Sequence, residues 1–159
     1  MPGDRHPGVA LIRRARPGEA KDLRALAHRS KAYWPYSGEF LERVRPLLRL
    51  EPRDIEADEV WVLEEEDGAL AGWHRVTLHA QRAELEDLWL EPRWIRSGRG
   101  RILFEHAATI ARRHGARIMD WDAEPYAEAF YRAMGGAEIG RTQSAVEEGR
   151  TLPRMRIVL

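Results

Sequence analysis

The chain has 159 residues and carries 26 basic and 26 acidic side chains, so it has no net charge at neutral pH. That balance argues against a generic nucleic-acid binder, which is basic overall, and the length suits one domain, 1–159, with a core of its own. Cysteine is absent, which excludes disulfides, thiolate nucleophiles and cysteine-bearing metal sites and fits a reducing cytoplasm; no run approaches the ~18 apolar residues of a membrane span.

The opening "MPGDRHPG" lacks the apolar stretch of a secretory signal, and residues 1–7 read as a loose flexible tail. "VALIRRA" (9–15) predicts a first strand. "RPGEAKDLRALAHRSKAYW" follows with Leu23, Leu26 and Ala27 at helical spacing. "GEFLERVRPLLRL" puts Phe40, Leu41, Val44, Leu47 and Leu48 on a second helix, which Pro46 must kink or split. "EPRDIEADE" reads as a polar connector. In "EVWVLEEEDGALAGWHRVTL" (59–78) two β-rich runs flank Asp67-Gly68, the signature of an antiparallel hairpin, with "EEED" (64–67) solvated at its tip.

"AELEDLWLEP" (83–92) is a third consecutive strand, stopped by Pro92. Helical spacing returns with Ile102, Leu103, Ala107, Ile110 and Ala111 on one face and Gly115 at the end. "ARIMDW" (116–121) is a strand, "EPYAEAFYRAM" (124–134) a short helix, and "AEIGRTQ" and "LPRMRIVL" two last strands. A strand-helix-strand unit of this length makes a parallel pair with a right-handed crossover, and the consecutive strands before it pair antiparallel. The predicted class is α+β: a mixed, mostly antiparallel sheet of about seven strands with helices on both faces.

The stretch "WIRSGRGRILFEHA" (94–107) runs from a strand through two glycines into a helix, among arginines. A helix beginning there offers free N–H groups at 98 to 102 and the positive end of its dipole. Glycine lets a phosphate come closer to the main chain than a Cβ permits. The spacing fits neither a Walker loop, which needs a lysine, nor a dinucleotide fingerprint, whose third glycine falls on Leu103. A glycine-rich helix start with solvated arginines is the blander reading.

Two stretches carry a family resemblance. "LWLEPRWIRSGRGRILFEHA" resembles motif A of the GNAT (GCN5-related) N-acetyltransferase superfamily, and "AEPYAEAFYRAMGGAEIG" resembles its motif B with the Phe-Tyr-x-x-x-Gly hallmark. "HRSKAYWPYSGEF" and "GRTLPRM" are similar to segments of one bacterial branch. The resemblance implies an acyl-CoA N-acyltransferase fold and acetyl-CoA as co-substrate, with no metal. It places the diphosphate on the turn at Arg96, Ser97, Gly98, Arg99, Gly100 and Arg101, and the pantetheine arm beside Leu88, Trp89 and Leu90. Two positions depart from the family pattern. Its usual Gln/Arg falls on Ile95, and the motif-B position that often carries asparagine is Tyr126, which takes the cofactor-binding role here.

Acyl transfer to an amine calls for a base, an oxyanion donor and an acid for the leaving thiolate. Glu84 and Glu86 alternate along one strand, and the resemblance makes either the base. It makes Tyr131 the acid, Phe130 a core residue and the Leu88 amide the oxyanion donor. Trp34, Tyr36 and Trp73 are candidate walls for the acceptor, suited to a cationic or flat amine, and core or surface packing is the competing reading for each. His74 and His79 read as structural, and His106 as a satisfied core histidine. Six histidines without clustered spacing give no metal site. The implied activity is transfer of an acetyl group from acetyl-CoA to a primary amine of a small molecule or peptide in the cytoplasm, without nucleic acid or membrane, and a homodimer is compatible with it. The alternative is a CoA-binding sensor or interaction module without turnover.

Overall fold

The structure is a computed structural model that describes residues 4–6 and 9–159. The described strands are β1 (Asp4–His6), β2 (Val9–Arg14), β3 (Glu59–Glu64), β4 (Leu70–His79), β5 (Arg82–Leu90), β6 (Ile118–Asp122), β7 (Ala137–Gln143) and β8 (Thr151–Val158). They form one eight-stranded sheet in the order β1-β2-β3-β4-β5-β6-β8-β7. Every pair is antiparallel except β5 with β6, which run parallel. This is the expected mixed α+β architecture. The strand beyond the expected seven is β1, whose Asp4 pairs with Ile12 and His6 with Val9. The loose tail read over 1–7 is therefore corrected for Asp4–His6; residues 1–3 and 7 lie outside the described residues.

The helices are α1 (Ala20–Ala32), α2 (Gly38–Val44), α3 (Pro52–Ala57), α4 (Arg99–Arg113) and α5 (Glu128–Ala133). Pro46 splits the second predicted helix: α2 stops at Val44 and a 3-10 turn, Arg45–Leu47, follows. The stretch read as a polar connector forms α3, because Pro52 opens it and the Asp54 carboxylate accepts the Glu51 N–H at 2.8 Å. The Asp67-Gly68 hairpin forms as read, with the Glu65 N–H donating to the Ala69 carbonyl at 2.8 Å.

On one face of the sheet Leu23 and Leu26 of α1 and Ile55 of α3 pack on Val60, Val62 and Trp73. On the other, Phe104, Ala107 and Ala108 of α4 and Tyr131 of α5 pack on Leu85, Met119 and Trp121. Two irregularities of β5 shape everything that follows. Its parallel pairing with β6 holds for Arg82–Glu84 opposite Ile118–Asp120 and goes no further, so the strands part. A bulge also leaves Glu86 unopposed, because Arg75 faces Asp87 while the adjacent Val76 faces Leu85. Leu85 and Leu88, three residues apart, therefore both join the core under α4, and Trp89 packs toward α1.

Candidate active site

A cavity of about 400 Å³ opens where β5 and β6 part. Leu88, Trp89 and Leu90 form one wall, and Tyr126, Phe130 and Tyr131 the opposite one. On α4's side of the sheet the lining is Arg96, Gly98, Gly100 and Arg101; on α1's side it is Ser30, Trp34 and Glu124.

The glycine turn starts α4 as read, with different duties for its residues. Gly98 caps α4 in a left-handed conformation, φ +89°, and gives the helix no side-chain cap. The amides of Arg99, Gly100 and Arg101 are thus first-turn donors without an intrahelical acceptor, whereas Ile102, also expected to be free, donates to the Gly98 carbonyl at 3.3 Å. Gly100 is needed for packing: a Cβ there would lie 3.1 Å from the Phe130 ring. Phe130 is accordingly a cavity wall, only partly buried, where the resemblance implied a core residue. The Arg99 guanidinium is taken by an ion pair with Glu65 and lies 3.6 Å from the centroid of the Trp94 ring. Glu65 is buried by that pairing, which corrects the reading of 64–67 as wholly solvated. The Ser97 hydroxyl donates to the Trp94 carbonyl and is exposed. Arg96 and Arg101 remain as the cations at the cavity, Arg101 in an exposed 3.3 Å pair with Glu105.

Neither glutamate proposed as base lies at the cavity. Glu84 is held by both guanidinium nitrogens of Arg154 at 2.6 Å each. Glu86 is exposed and accepts the Thr77 hydroxyl at 2.9 Å. The carboxylate that the bulge turns toward the Trp89 side is Asp87, which stands behind Trp89 and does not itself line the cavity. It shares a side of β5 with Trp89, whose Nε1–H donates to it at 2.9 Å. Burial pushes the Asp87 carboxyl up to about 6, against the Trp89 hydrogen bond and the Arg75 charge. Tyr131 is 7% exposed and lines the cavity; burial first, then the charges of Glu124 and Asp87, push its phenol well above the usual range. The Leu90 N–H reaches the buried Ser30 hydroxyl at 3.4 Å, and strand alternation puts the Leu88 N–H on the same edge of β5.

On α1's side Trp34 and Tyr126 stack, ring centroids 5.7 Å apart and 11° from parallel. Tyr36 does not line the cavity; its hydroxyl donates to Glu124, which does, and accepts from Arg150 at 2.8 Å. Burial and Glu124 push the Tyr36 phenol up. Lys31, 7% exposed, completes the group by pairing with Glu124. Trp73 is core: 1% exposed, its Nε1–H donating to the Leu23 carbonyl at 2.9 Å. His74 and His106 are buried together, ring nitrogens 2.9 Å apart, and His79 is exposed beside Thr77. Among the described residues no group of three or more His, Asp or Glu could hold a metal ion.

A sequence model of the acetyltransferase (GNAT) family matches residues 23–135, which includes most of α1, the glycine turn and Tyr131. The chain belongs to the acetyltransferase (GNAT) family. Solved GNAT structures share the fold at low identity. A GCN5-related N-acetyltransferase from Rhodopseudomonas palustris is 18% identical with a TM-score of 0.80, over 100% of this chain and 99% of that one. The PaiA N-acetyltransferase from Thermoplasma acidophilum, in complex with coenzyme A, is 19% identical with a TM-score of 0.71, over 93% and 98%. The ribosomal-protein-S18-alanine N-acetyltransferase from Escherichia coli is 17% identical with a TM-score of 0.69, over 92% of each chain. A search of curated protein sequences finds no match.

Within this GNAT chain the sequence reading missed Asp87, Ser30, Glu124, Lys31 and Arg150. Nothing in "ELEDLWL" marks where the bulge falls, so Asp87 could not be told from its neighbours. Lys31 did carry a signal: it is one of only two lysines among 26 basic residues, a compact ammonium in a chain that otherwise uses arginine. Among the described residues no helix is long and apolar enough to cross a membrane.

Proposed function

We propose that the chain acetylates a primary amine of a small molecule or peptide, with acetyl-CoA as donor, by direct attack of the amine on the thioester. The observation that carries this is the cavity itself. It passes through the gap between β5 and β6, with uncapped first-turn amides and the arginines Arg96 and Arg101 on one side and aromatic rings on the other. The residues fit the donor: uncapped amides and the cations Arg96 and Arg101 suit a diphosphate, and the unpaired edge of β5 suits an amide-bearing arm. Bound there, acetyl-CoA supplies the activated acyl group.

The remaining tasks fall to the protein. An alkylamine is neutral to only about one part in a thousand near pH 7, so its proton must go somewhere. Asp87, behind the cavity-lining Trp89, takes it through water, because a carboxyl raised to about 6 is ionised at neutral pH yet basic enough to accept. The Leu88 N–H stabilises the carbonyl oxygen as negative charge builds. Tyr131 stays protonated, and its hydroxyl, without a hydrogen-bond partner among the described residues, donates to the departing sulfur. Glu84 is a structural residue in this scheme, clamping β5 to β8 through Arg154.

The test is to incubate the protein with acetyl-CoA and a panel of amines and follow free thiol with a dye. Saturable, amine-dependent CoA release is expected. Saturable binding with no release above background for any amine would assign the chain to the CoA-binding modules.

A further inference from the structure

Behind Glu124, on the acceptor side of the cavity, lies a cluster with more positive charge than it neutralises. Lys31 from α1, Tyr36 from the loop after it, Glu124 from the segment after β6 and Arg150 from the turn before β8 meet in one cluster. Glu124 is its one carboxylate, and both of its oxygens are engaged, one by the Lys31 ammonium and one by the Tyr36 hydroxyl. Tyr36 stays a neutral phenol there. Arg150 lies 4.9 Å from the centroid of the Phe40 ring and 5.3 Å from that of Tyr36, and it donates to the Tyr36 oxygen at 2.8 Å. Among the described residues its guanidinium has no carboxylate partner. Two cations thus face one anion. Lys31 registers the excess: burial lowers its pKa and the Arg150 charge lowers it further, against the pull of Glu124.

A guanidinium beside the stacked Tyr36 and Phe40 rings, bonded to the Tyr36 oxygen, has donors to spare, and partly buried charge calls for a partner. The protein supplies none, so a ligand can. The geometry points to an acceptor that carries a carboxylate close to its amine: a small amino acid, its carboxylate held by Arg150 and its apolar part against Trp34 and Tyr126. A peptide N-terminus has an amide in place of that carboxylate and leaves Arg150 unpaired. This inference rests on the amine-acetylating function proposed above and names its substrate class.

Matched acceptors decide it. Phenylalanine, tryptophan and glycine are each compared with their own primary amides at saturating acetyl-CoA, and kcat/KM is measured for each pair. The acid should exceed its amide by about 10- to 100-fold, the size of a charge-assisted hydrogen bond. In Arg150→Gln the ratio should collapse toward one through a rise in KM for the acids, and Arg150→Lys should restore part of it. Amides used as well as acids by the wild-type protein, or an unchanged ratio in Arg150→Gln, would overturn the assignment. So would a protein that binds CoA by calorimetry and acetylates no member of the set. Failure to bind CoA at all would instead sink the acetyltransferase reading, and the substrate class with it.

Discussion

On α4's side of the sheet the cavity is made of main chain: a left-handed Gly98, three first-turn amides and the open edge of β5, all from two nearby stretches of sequence. On α1's side it is made of side chains, Ser30, Trp34 and Glu124, with Lys31, Tyr36 and Arg150 gathered behind Glu124; of these, Tyr36 and Arg150 are 114 residues apart. The first arrangement needs a particular backbone, and a backbone need writes itself into sequence as glycine. The second needs only that four elements converge, which no local pattern records. A common donor and a variable acceptor would suit that division: amides that hold a diphosphate tolerate side-chain change, whereas a side-chain cluster can be rebuilt for each acceptor.

The largest effect is expected where the two sides meet. Tyr131→Phe should lower kcat by about 10²–10⁴-fold while calorimetry finds CoA affinity unchanged, since the ring still packs against Trp121 and Phe104. An unaltered kcat would remove the proposed acid. Asp87→Asn should lower kcat/KM by about 10²–10³-fold and abolish the acid limb of the pH–rate profile near 6. The same change should stabilise the fold at pH 8. A carboxyl raised above its unfolded value adds stability below that value and loses it as pH rises through about 6, so removing the charge gains up to about 3 kcal/mol at high pH and little at pH 4. Denaturant unfolding at the two pH values checks this, and equal stability of both proteins at pH 8 would refute the raised Asp87 carboxyl.

Gly98→Asp should weaken CoA by about 10- to 100-fold through backbone strain and like charge and leave the preference between amino acid and amide intact, separating the two sides of the cavity. The smallest effect belongs to Glu84→Gln. Loss of its paired contact to Arg154 should cost about 1–2 kcal/mol of stability, with kcat/KM within a few-fold of wild type; a deep kinetic defect in a folded variant would return Glu84 to the chemistry.

These expectations also mark what the sequence could and could not reveal. The Asp67-Gly68 turn, the apolar face of α4 and the glycine turn are short-range demands, and all three were readable. The polar α3 was missed because its start lies in a proline and a reciprocal cap, while apolar periodicity governed the reading. Arg99 looked like a phosphate ligand by position, yet Glu65, 34 residues earlier, claims it. Strict alternation along β5 put Glu84 and Glu86 forward, but one unopposed residue, Glu86, turns Asp87 toward the Trp89 side, and no local pattern marks where that bulge falls. For Trp73 the sequence leaves an acceptor wall and core packing both open, and its strand position buries it against α1.

The central claim is that acetyl-CoA threads the gap between β5 and β6, and a crystal structure with CoA bound tests it most directly. The account predicts the diphosphate on the amides of Arg99 to Arg101, the pantetheine along Leu88–Leu90 and the sulfur beside the Tyr131 hydroxyl. A CoA whose diphosphate lies away from Gly98, or whose sulfur lies away from Tyr131, would contradict it.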